Sequence, residues 1–182
     1  IEYCKMKNFK RMLLIVPDPE MKKDFCSFEL VDKNPEVIVL GDMGSQFSFE
    51  LLNRIFIYLM DGCQIVAMHK NRYWIDSSGP RMDLGAFVSA LEYASGRKVI
   101  ITGKPNRKFF HLAVRYLGCH PSVVYMIGDD IEADICGAKN AGINAILVKT
   151  GKFNEDLLSN SKIQPDYIIE SIADLPRLWG LN

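Results

Sequence analysis

From Val99 onward the chain alternates short apolar runs with amphipathic stretches closed by glycine, and this alternation restricts the fold more than any other feature. Val99–Thr102 reads as a strand. Asn106 then opens a helix with Phe109, Phe110, Ala113, Val114 and Leu117 on one face, and Gly118 ends it. Val123–Ile127 reads as a buried strand and Glu132–Asn140 as a helix stopped by Gly142. Ala145–Val148 and Tyr167–Ile169 are further strands, and a last helix runs from about Ile172 to Trp179. Such alternation predicts an α/β fold, a parallel sheet with helices on its faces.

The first half alternates less regularly. Met12–Val16, Glu36–Leu40 and Gln64–Met68 read as strands. Ser48–Met60 is a helix by the spacing of Leu51, Leu52, Ile55, Phe56 and Leu59, and Gly85–Ala94 is another, with Gly96 at its end. Asn71–Pro80, polar and aromatic, is a loop or hairpin. The seam is expected near residues 97–103, dividing the chain into 1–100 and 101–182.

Composition narrows the class. At 182 residues, 48% apolar and 24% charged, the chain supports a packed core without staples. Its 22 basic and 22 acidic side chains cancel, which argues against a general nucleic-acid binder. No apolar run approaches about 20 residues, so no membrane span is expected. Lys5–Arg11 is basic but is followed by no long apolar core, so no secretory signal is expected. The five cysteines are odd in number and lack metal-ligand spacing, which suits reduced, mostly buried thiols in a cytoplasmic protein.

Two features carry chemistry. Asp129, Asp130 and Asp134 follow an apolar strand directly, where ligands sit in open parallel sheets. Carboxylates suit Mg²⁺, a hard ion that takes one or two of them along with waters and substrate phosphate. Asp129 falls where the strand stops, Gly128 leaves the approach clear, and Asp134 falls in the first helical turn. The alternative is that Asp130 simply caps the helix and the others form a solvated acidic turn. Lys104, in Gly103-Lys104-Pro105, also stands at a strand end before a helix, placed to reach a phosphate or to hold a carboxylate; alone, it reads rather as a surface lysine in a tight turn.

Taken together, Leu91-Glu92-Tyr93-Ala94, Gly103-Lys104-Pro105, Met126-Ile127-Gly128-Asp129-Asp130, Gly137-Ala138 and Val148–Phe153 resemble the haloacid dehalogenase superfamily of phosphatases, in the subfamily with the larger α/β cap. His69-Lys70-Asn71-Arg72-Tyr73 resembles that group's cap. The resemblance runs from about residue 11 to the end. It implies a parallel three-layer Rossmann-like core, of which residues 101–182 are the C-terminal half, and an α/β cap over 1–100 that selects substrate. It implies that Lys104 orients the nucleophile and phosphate, that Asp129 and Asp134 bind Mg²⁺, and that Gly128 and Asp130 support them. Asn71, Arg72 and Tyr73 are candidates for contact with a small phosphorylated substrate, and the cap for homodimer formation; equally, these residues are an ordinary exposed hairpin.

The family's first motif, an apolar strand ending in Asp-x-Asp whose first Asp attacks phosphorus, is not found in these 182 residues. Asp18-Pro19-Glu20 and Asp42-Met43-Gly44 follow strands but lack the second Asp. With Ile1 rather than Met at the start, the expectation is a piece of a larger enzyme, missing its nucleophile and inactive alone. The alternative is a degenerate module that binds Mg²⁺, phosphate or a protein without chemistry.

Overall fold

Four consecutive apolar residues, Val37 to Leu40, are all buried, the pattern of a strand covered on both faces. In the computed structural model, which describes residues 1–181, they lie inside a five-stranded parallel sheet. Its strands in chain order are β1 (Arg11–Ile15), β2 (Glu29–Leu30), β3 (Val37–Leu40), β4 (Gln64–Ala67) and, after an antiparallel hairpin of β5 (Tyr73–Asp76) with β6 (Gly79–Met82), β7 (Ile100–Ile101). Their spatial order is β2-β1-β3-β4-β7. The order reverses between β1 and β3, as in doubly wound sheets.

Helix α1 (Glu2–Met6) and a 3₁₀ stretch over Pro19–Phe25 accompany a cluster of Cys4, Met12, Phe25, Phe28, Val37, Val39 and Val66. Helices α2 (Phe49–Met60) and α3 (Leu84–Ser95) supply Ile55, Leu59, Leu84, Val88 and Leu91 to a second cluster with Leu13, Ile15, Ile38, Leu40 and Ile65. Burying each such side chain contributes about 1.5–3 kcal/mol. Ser48 Oγ accepts the Leu51 N–H at the start of α2, Asp83 caps α3, and Gly96, at φ +68, ends α3.

The chain divides between Gly103 and Lys104 into two units. The second contains α4 (Arg107–Leu117), β8 (Tyr125–Gly128), α5 (Gly137–Asn140), β9 (Asn144–Val148), α6 (Glu155–Asn160), β10 (Tyr167–Ile169) and α7 (Leu175–Leu178). Its three strands run parallel in the order β10-β9-β8. Phe110 and Val114 of α4 pack with Ile131, Ile135, Ala138, Ala145 and Leu147.

Four expectations are corrected. Ile100–Ile101 pairs with Val66–Ala67, so this strand belongs to the first unit, and the division after Gly103 falls at the end of the expected seam. Val123 is not in a strand: it closes a 3₁₀ turn begun by Pro121 and is 65% exposed, and β8 starts at Tyr125. β8 is also not fully buried, because among the described residues it pairs only with β9. The helix expected over 132–140 is a π turn, Ile131–Cys136, followed by α5. All five cysteines are free, but only Cys4 is fully buried; Cys26 and Cys119 are exposed. Among the described residues no helix is long and apolar enough to cross a membrane.

Candidate active site

The chain turns sharply at the carboxyl end of β8. Asp130 breaks the strand by capping the turn on its C-terminal side: its Oδ1 accepts the Glu132 and Ala133 N–H groups at 3.0 and 2.9 Å. Its carbonyl then accepts two further N–H groups, from Asp134 at 2.9 Å and Ile135 at 3.2 Å. The second of these is an i→i+5 bond and makes the turn π rather than α.

This wide turn places Asp134 against the strand end. A Cβ on Gly128 would lie 2.2 Å from Asp134 Oδ2, so only glycine admits the carboxylate. Asp134 is 4% exposed. Its Oδ1 accepts from Lys104 Nζ at 2.6 Å and its Oδ2 accepts the Asp130 N–H at 3.3 Å. Buried side-chain polar atoms are rarely left without such partners. Lys104, Gly128, Asp129, Asp130 and Asp134 are thus gathered within one unit, with Lys104 engaged by Asp134. Asp130 caps the turn, and Lys104, 33% exposed on its side chain, is paired with a buried acid.

Sequence reasoning gave no role to the loop after β9. Gly151, at φ +56, lies so close to Asp129 that a Cβ there would be 1.9 Å from Asp129 Oδ2. The next N–H, of Lys152, donates to that oxygen at 2.7 Å, and Lys152 Nζ donates to Asp130 Oδ2 at 3.0 Å. The local signals were the Thr-Gly-Lys turn directly after an apolar strand and the place of Val148–Phe153 in the family resemblance. Among the described residues no three His, Cys, Asp or Glu side chains gather as a cation cage.

Asn71 and Arg72 lie in the other unit, between β4 and the hairpin, and Tyr73 opens β5. The path of that loop is held by main-chain contacts: Gly85 N–H to Asn71 C=O at 2.9 Å and Asp83 N–H to Arg72 C=O at 3.2 Å. A Cβ on Gly85 would lie 2.3 Å from the Asn71 carbonyl oxygen, and one on Gly103 would lie 2.0 Å from that of Met68. Beside it, Glu92 accepts from Lys70 Nζ at 2.5 Å and from the Val99 N–H at 3.0 Å. Burial alone would raise the Glu92 carboxyl, but these two hydrogen bonds and the charges of Lys70 and Lys98 bring it below the usual Glu value. His69 Nε2 stands 3.7 Å from buried Asp83.

Comparison with known proteins bears on the family and the fold. The HAD-hydrolase-like family matches residues 101–175. Haloacid dehalogenase-like hydrolase domain-containing protein 2 of Bos taurus is 40% identical over 159 residues, 87% of this chain and 59% of that protein. Phospholysine phosphohistidine inorganic pyrophosphate phosphatase of Mus musculus is 36% identical over 150 residues, 81% of this chain and 56% of that protein. The chain therefore spans less than three fifths of the length of these relatives. The crystal structure of 4-nitrophenylphosphatase from Thermotoga maritima superposes with a TM-score of 0.85 at 30% identity, over 97% of this chain and 68% of that one. With the motifs, the parallel α/β architecture and these likenesses in accord, the chain belongs to the haloacid dehalogenase-like hydrolases.

Proposed function

We propose that this chain is the larger part of a Mg²⁺-dependent phosphatase that acts on a small phosphorylated molecule through a phospho-aspartate. The observation that carries the reading is the Lys104–Asp134 pair set against Gly128 and Asp129 at the end of a parallel strand. The donors suit the ion in kind: Asp129 and Asp134 offer only oxygen, and the glycine at 128 leaves room for a buried carboxylate where a cation needs charge balance. Asp129 and Asp134 would hold Mg²⁺, which when bound neutralises phosphoryl charge. Lys104 supplies a fixed positive charge beside them and donates to Asp134 Oδ1 at 2.6 Å. Asp130 fixes the turn, and Asn71, Arg72 and Tyr73 select the substrate, with Arg72 suited to an anionic group.

The nucleophilic aspartate, which forms the P–O bond as the leaving oxygen departs and is then freed by water, belongs to residues outside these 182. A cytoplasmic setting and a homodimer through the N-terminal unit belong to the same reading. The test is a hydrolysis assay with 4-nitrophenyl phosphate and Mg²⁺ on the 182-residue chain. No turnover is expected, and turnover above a Lys104→Ala control would refute the assignment of the nucleophile. The second reading, a module that binds Mg²⁺ or phosphate without chemistry, draws on the missing Asp-x-Asp. It is separated from the first by the coding sequence upstream of Ile1: an apolar strand ending in Asp-x-Asp selects the enzyme.

A further inference from the structure

We infer that Lys152, together with Gly151, is a positioning residue that fixes Asp129 as a cation ligand and ties the neighbouring Asp130 to its own ammonium, an inference that rests on the Mg²⁺ reading above. Two adjacent carboxylates at a strand end present an ambiguity, since either could turn toward a cation. The loop after β9 resolves it. The Lys152 N–H donates to Asp129 Oδ2 at 2.7 Å, which stops rotation of the carboxylate and commits one oxygen to the protein. One oxygen then remains for a ligand, as in metal sites whose ligating carboxylates are oriented by hydrogen bonds from behind.

Asp130 is treated differently. Both its carboxylate oxygens are engaged, Oδ1 by the Glu132 and Ala133 N–H groups and Oδ2 by Lys152 Nζ at 3.0 Å. The Lys152 side chain is 15% exposed, so its ammonium is held close to this pair rather than in bulk solvent. One residue therefore acts on both acids, through its main chain on Asp129 and through its side chain on Asp130.

Gly151 makes the main-chain contact possible. Any side chain there would occupy the space of Asp129 Oδ2, at 1.9 Å, and its φ of +56 already favours glycine. Gly142 provides the matched control: its φ is +76, and a Cβ there would meet nothing within 4 Å. Gly151→Ala and Gly142→Ala thus share the backbone strain, and only the first displaces Asp129.

The experiment measures Mn²⁺ affinity by electron paramagnetic resonance on the 182-residue chain, with folding checked by circular dichroism. Gly151→Ala is expected to bind at least about tenfold more weakly than wild type, and Gly142→Ala within about twofold of it. Lys152→Ala keeps the N–H and is expected to fall between them. A second measurement needs no metal: the Lys152 amide proton, hydrogen-bonded to a carboxylate, is expected to resonate downfield and to move upfield in Asp129→Asn. Wild-type affinity in Gly151→Ala, or an unmoved amide in Asp129→Asn, overturns the positioning role and leaves the Mg²⁺ reading standing. Absence of Mn²⁺ binding by the wild type with the amide shift intact overturns the Mg²⁺ reading and with it the ligand role of Asp129.

Discussion

Replacing Glu92 with Gln tests how the N-terminal unit ties its last strand to α3. The carboxylate is 12% exposed on its side chain and accepts two hydrogen bonds, from the Lys70 ammonium and the Val99 N–H. Gln keeps an acceptor for Val99 but turns an amide donor toward the ammonium, so the charged bond is lost and two donors face each other. A hydrogen bond to a charged group contributes about 1.5–3 kcal/mol. Lys70 is 33% exposed on its side chain, so water recovers part of this, and the expected loss is about 2 kcal/mol. With a urea slope of about 2 kcal/mol/M, the midpoint falls by about 1 M.

The sign of the pH effect comes from the lowered Glu92 carboxyl. The ion pair stabilises fully above the ordinary Glu value of 4.5, and its contribution is lost as pH falls through the lower folded value. The gap between wild type and Glu92→Gln is therefore constant from pH 7 to pH 5 and narrows as pH falls below 4.5. The assay is urea unfolding monitored by circular dichroism, repeated with Lys70→Met and the double variant, whose coupling energy is expected at about 1–2 kcal/mol. A Glu92→Gln midpoint equal to that of wild type at pH 7, or an undiminished gap at pH 3, would refute this account.

The geometry carries two further outcomes. Gly128→Ala forces its methyl into the space of Asp134 Oδ2, so it is expected to cost about 1–3 kcal/mol in urea unfolding and to weaken Mn²⁺ binding. Burial pushes the Cys63 thiol up to about 11 against a smaller opposing effect from the Ile38 backbone, so at pH 8 only about one in a thousand is ionised. Iodoacetamide treatment and mass mapping should show Cys26 and Cys119 labelled first and Cys63 slowly; early labelling of Cys63 would contradict its burial.

Much of the fold was legible where physics is local. The helices over 49–60 and 107–117 show their apolar spacing, side-chain caps and closing residues within a single window, and β3 shows its burial on both faces as an unbroken apolar run. The family resemblance drawn from the motifs is the one that the relatives share. Partnership was not legible. Ile100–Ile101 reads as a strand in isolation, but its pairing with β4 depends on residues more than thirty positions away. The π turn depends on which N–H groups reach the Asp130 carbonyl, a choice tied to the placement of buried Asp134 rather than to any periodicity. Lys152 was noticed only as part of the Val148–Phe153 stretch and given no role for the same reason: its two contacts span 22 and 23 residues.

The loop before the hairpin has a consequence for how such proteins diverge. Its course is set by carbonyls of Met68, Asn71 and Arg72 against Gly85, Gly103 and the Asp83 N–H, none of which depends on what side chains the loop carries at 71 and 72. Asn71 and Arg72 can thus be exchanged without rebuilding the rail on which they stand. Side-chain chemistry and backbone course are separately inherited there, so point substitutions can change what the loop presents while the surrounding packing stays as it was.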